Sequence, residues 1–131
     1  MIDFDEFGEL LDEIANSFPS EIYTRLNGGV NLLPDERVHP ESLSNNDLYV
    51  LGEYHVNRLG RYINIYYGSF MRRYANYPVP YLKRQIEHTL KHEFLHHLES
   101  LAGEDGLEVQ DRIFLERYRQ RFRRDEALDS Q

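Results

Sequence analysis

Two histidines, His92 and His96, stand four residues apart, and Glu93 follows the first of them. On a helix, positions i and i+4 lie one above the other on the same face, so two imidazoles can reach one metal ion. A carboxylate beside the first His is placed to take a proton from water at such a metal, the pattern of metal-assisted hydrolysis. His88, one turn earlier, has no glutamate after it and reads as a residue lining the same cleft. His97 falls toward the core-facing side of that helix and reads as a hydrogen-bonded structural histidine.

Composition limits what else the chain can be. Its 131 residues suit one domain, and 40% hydrophobic with 13% aromatic residues suits a packed core rather than disorder. With no cysteine, a disulfide scaffold and a Cys-rich zinc site are excluded, which leaves His and carboxylates as the strong metal ligands. No apolar run of signal-peptide or membrane-spanning type occurs, so a soluble, cytoplasmic protein with no membrane partner is expected.

A net charge of −8 argues against nucleic acid as a partner, yet the charge is unevenly placed. Seven acids and no Lys or Arg precede Arg25, whereas Arg117 to Arg124 is Arg-rich. The basic stretch is expected to complement its own helix dipole and the acidic first helix.

The elements that must position the motif follow from periodicity. Phe7, Leu10, Leu11, Ile14 and Phe18 recur at helical spacing, which predicts an amphipathic helix stopped near Pro19. A second short helix over Ser20 to Leu26 should end at Asn27-Gly28-Gly29. Val30 to Leu33 reads as a strand, and Pro34 to Asp47 as a surface loop. Leu48 to Val56 and Arg61 to Phe70 read as two strands joined by a hairpin loop, giving a small antiparallel or mixed sheet. Asn76 to Pro80 reads as an irregular connection.

The motif helix should run from about Tyr81 to Ala102, with Leu82, Ile86, Leu90, Phe94, Leu98 and Leu101 as its core stripe. At about 100° per residue, His88, His92, His96 and Glu99 form a row away from that stripe, facing the cleft. A last helix from Leu107 to about Arg124 should pack through Leu107, Phe114, Tyr118 and Phe122. Residues 1–124 thus form one α+β domain, a small sheet packed on an N-terminal helix and the long motif helix, and 125–131 a disordered tail.

Taken in order, Phe4 to Leu11, Val30 to Leu33, the Leu48 to Tyr54 strand, Tyr62 to Gly68 and His92 to His97 resemble the minimal zincin-like metallopeptidases. The doubled His96-His97 and Ile65-Tyr66-Tyr67-Gly68 carry more of this resemblance than the His-Glu-x-x-His motif alone. It implies a zincin-like α+β core, Zn2+ on the motif helix, and an edge strand above the cleft able to pair with an extended peptide.

The third metal ligand departs from that family's pattern. Glu99 stands where a bend-forming Gly is common, and Ala102 where the third ligand is common, so the ligand must come from elsewhere. Glu99 lies on the His row and is the favoured candidate. Asp111 comes next, on the inward stripe of the last helix. Glu116, spaced from His96 as in thermolysin-like enzymes, and Glu104 at the turn follow.

The expected function is a zinc-dependent metallopeptidase with His92, His96 and Glu99 as ligands and Glu93 as general base on a peptide or protein substrate. Tyr54, Tyr66, Tyr67, His55 or His88 could donate to the oxyanion. The rival expectation is a zinc-binding or interaction module without peptidase activity. In so short a chain, a second copy or a partner protein could complete the cleft.

Overall fold

The computed structural model describes residues 1–41 and 48–129. Helix α1, Phe4–Asn16, begins in a capping box. Asp3 Oδ1 accepts from the Glu6 N–H at 2.8 Å, and Glu6 Oε1 accepts from the Asp3 N–H at 3.2 Å. Its apolar face buries Phe7, Leu11 and Ile14. A short 3-10 turn, Ser20–Tyr23, follows, and the chain then reverses through Arg25 and Gly29, both at positive φ.

Strands β1 (Val30–Leu33), β2 (Gly52–Asn57) and β3 (Gly60–Tyr66) form one sheet in the order β1-β3-β2. β1 runs parallel to β3 and β2 antiparallel to it, so the sheet is mixed and β2 lies at an edge. Strand alternation sends Ile63 and Ile65, both fully buried, into the core that they share with the helices. The chain is α+β, with this sheet and the helices α1, α2 (Tyr67–Tyr74), α3 (Val79–Ala102) and α4 (Val109–Asp129).

Helix α3 is the element on which the others pack. Its expected stripe of Leu82, Ile86, Leu90, Phe94, Leu98 and Leu101 is buried throughout. Leu95 and the polar Glu93 and His97 are buried as well, because the sheet takes a second face of the helix. No described helix is long and apolar enough to cross a membrane.

Several expectations shift. The strand predicted to continue to Phe70 stops at Tyr66, and α2 takes over at Tyr67. Tyr67, Phe70 and Tyr74 repeat at helical spacing, and Phe70 and Tyr74 are buried. The alternating Tyr and Ile before them masked that change of period. The strand predicted from Leu48 begins at Gly52, with Tyr49 in an isolated bridge to Val38. The rest of the predicted loop, 42–47, lies outside the described residues. Helix α3 starts at Val79 rather than Tyr81, since Pro80 is tolerated in a first turn that needs no N–H donor there.

Helix α4 buries Leu115 and Phe122, while Phe114 turns outward. It also runs on to Asp129, so residues expected to fray are helical. The ion pair of Asp125 with Lys91, at 2.5 Å, ties that end to α3. Nor, among the described residues, does an arginine of α4 pair with an acid of α1. Among the described residues Arg119 pairs with Glu116 and Arg123 with Glu99, and α1's Glu13 pairs with Lys83.

The entry to α2 is held by close backbone approach. Ser69 Oγ accepts from the Arg37 N–H at 2.8 Å and donates to the Arg37 carbonyl at 3.2 Å. A Cβ on Gly68 would stand 2.7 Å from the Asp35 and Glu36 backbone. Gly68→Ala is therefore expected to cost about 1–3 kcal/mol through forced displacement of this strap. Urea denaturation of the variant against wild type measures it.

Candidate metal centre

His92 and His96 emerge from one side of α3, and their Nε2 atoms face each other at 3.0 Å. They line an open cleft of about 700 Å³ together with Gly52, Glu53 and Tyr54 of β2 and Glu93, Glu99 and Ser100 of α3. His88, expected in the same row, lies instead on a separate surface hollow with Arg84, Glu87 and Lys91.

Glu93 is the buried member of the motif. Burial raises its carboxyl to about 7, opposed by the neighbouring His92 and by the Tyr54 backbone N–H that donates to it; Glu53 and Glu126 push it further up. A carboxyl balanced near neutrality can both accept and return a proton.

His97 behaves as a structural histidine. Its Nε2 stands 2.8 Å from the Thr24 carbonyl and its Nδ1 2.8 Å from the Tyr54 hydroxyl. A carbonyl only accepts, so Nε2 carries the proton and Nδ1 accepts from Tyr54. Burial lowers its pKa to about 4, keeping the ring neutral.

The carboxylates expected as third ligand are dispersed. Glu99 lines the cleft, but its Oε1 accepts from Arg123 Nε at 3.0 Å. Glu116 pairs with Arg119, and Glu104 accepts from Arg61 at 2.9 Å. Asp111 lies in the first turn of α4. Among the described residues, no three of His, Asp and Glu are gathered around one point.

The tyrosines among the oxyanion candidates are engaged too, whereas the buried His55 Nε2 has no hydrogen-bond partner among the described residues. Tyr66 donates to Glu53 at 2.5 Å, Tyr67 to the Ile2 carbonyl at 2.8 Å, and Tyr54 to His97. His55 stacks on Tyr62.

Two participants escaped the sequence reading. Glu53 of β2 enters the cleft, held by Tyr66 and by Arg37 at 3.3 Å. Glu126 of α4 is bonded through Oε1 to His92 Nδ1. Neither had a signal in the sequence, since the partners of each lie on other elements far away in the chain.

A solved structure of a conserved hypothetical protein from T. thermophilus matches this fold with a TM-score of 0.69. The two chains are 30% identical, and the match covers 79% of this chain and all of that one. This chain belongs to the same family. No protein-family model and no curated protein matches it.

The two titratable groups buried on α3 oppose each other in acid. The unfolded chain ionises Glu93 above about 4.5 and the folded one only near 7, so Glu93 withdraws stability as pH rises through that window. The unfolded chain protonates His97 below about 6.5 and the folded one only near 4, so His97 withdraws stability as pH falls. Metal-free Glu93→Gln should exceed wild type by roughly 3 kcal/mol above neutrality and lose that advantage toward about pH 4.5. Urea titrations in a chelator at several pH values check this.

Proposed function

We propose that the protein is a zinc-dependent peptidase of zincin-like type, acting on an extended peptide or an exposed protein segment. The observation that carries this reading is the facing pair of His92 and His96 Nε2 atoms, 3.0 Å apart, on a cleft that also holds the buried Glu93. Two nitrogens each at about 2.0–2.1 Å from one zinc ion can stand about 3 Å apart, so the pair fits the metal. Glu99 is the proposed third ligand from the same helix; its Oε1 accepts from Arg123 Nε, and its second carboxylate oxygen is the one proposed for the metal.

Zinc, when bound, supplies Lewis acidity toward a carbonyl and toward water. The remaining work falls to the chain. Glu93, held near neutral pKa by burial, takes a proton from the attacking water and returns it to the leaving amine. Edge strand β2 lines the cleft and suits the backbone of an extended substrate. His97 and Tyr54 lock β2 against α3 and hold the cleft wall at a constant distance from the histidines.

One observation favours a second reading, a zinc-binding module without peptidase activity. Among the described residues no third His, Asp or Glu is gathered with His92 and His96 around one point. Metal analysis and cleavage of a broad peptide library distinguish the two. Wild type should hold zinc and cleave, and His92→Ala and His96→Ala should lose the metal. Glu93→Gln should keep zinc while its turnover falls by roughly 10²–10⁴-fold. Zinc-loaded wild type that cleaves no peptide would favour the second reading.

A further inference from the structure

The contact between His92 Nδ1 and Glu126 Oε1 joins the motif helix to the far end of α4. A carboxylate accepts and cannot donate, so Nδ1 carries the ring proton and the Nε2 lone pair is left facing His96. A histidine that binds metal through one nitrogen needs its proton on the other, and a carboxylate there sets both tautomer and ring orientation.

The sequence surroundings support a dedicated contact. Asp125 and Glu126 lie in the final turns of α4, where negative charge is disfavoured by the helix dipole and no basic residue of the last turn offsets it. Their compensation comes from the adjacent Lys91 and His92 of α3, as two parallel pairs. The pair at Lys91 and Asp125 holds the helix end down. The pair at His92 and Glu126 reaches the cleft.

We propose that Glu126 is a positioning residue that presents His92 Nε2 for metal, and that zinc binding and docking of the last turns of α4 are therefore linked. This rests on the zinc reading of His92 and His96. It assigns to a helix outside the His-Glu-x-x-His motif a part in forming the site.

The test compares full-length wild type, Glu126→Ala, Glu126→Gln and Asp125→Asn. Zinc affinity is measured by chelator competition, and the His92 tautomer by ring ¹⁵N shifts of the metal-free proteins at about pH 8, where imidazole is ordinarily neutral. Wild type should show the Nδ1-protonated tautomer. Glu126→Ala should show a mixture and bind zinc about 10–100-fold more weakly. Glu126→Gln, which keeps an accepting oxygen, should recover part of that loss, and Asp125→Asn should match wild type in both readouts.

An unchanged tautomer and affinity in Glu126→Ala would overturn the proposal. So would an equal loss in Asp125→Asn, since the contact would then act only by holding the helix. If wild type binds no zinc, the zinc reading itself falls, and with it the linkage to α4. The tautomer shifts then still decide whether Glu126 orients His92.

Discussion

The rotational setting of α3 governs the rest of the molecule, and His97 holds it. One side chain, wholly buried, bonds the Tyr54 hydroxyl of β2 on one nitrogen and the Thr24 carbonyl, just after the 3-10 turn, on the other. Both partners are satisfied only at one rotation and one height of the helix. Since an α-helix is rigid over a single turn, that setting also decides where His92, Glu93 and His96 point. His92 and His96 reach the cleft, while Glu93 turns toward β2 and is buried.

That burial has opposing consequences. Removing Glu93 from water costs stability whenever it is ionised, and the Tyr54 backbone N–H and nearby His92 return only part of it. His97 carries the opposite cost in acid, so between about pH 4.5 and 6.5 the two polar residues buried on α3 offset each other.

The helices around α3 divide their roles. Through Phe7, α1 meets Tyr67 edge-on and Phe70 at a tilt, both on α2, and builds the core behind the sheet. Helix α4 packs Leu115 and Phe122 inward and meets the cleft side of α3 at Arg123, Asp125 and Glu126. It therefore touches both a proposed ligand, Glu99, and a histidine of the pair.

Much was legible from residue order because the signals were local. The α1 helix, the α3 stripe and the shared face of His92 and His96 depend on helical periodicity, which a sequence displays directly. So did the assignment of His97 to the core, from its angle on the helix. The α2 helix was not legible, because aromatic and β-branched residues before it satisfy a strand period equally well until Gly68 and Ser69 meet the Arg37 strap. The engagement of Glu99 by Arg123, the entry of Glu53 and the reach of Glu126 were decided by tertiary structure alone. Each joins residues far apart in the chain, and long side chains on neighbouring elements choose partners by distance in space, which no spacing along one element encodes.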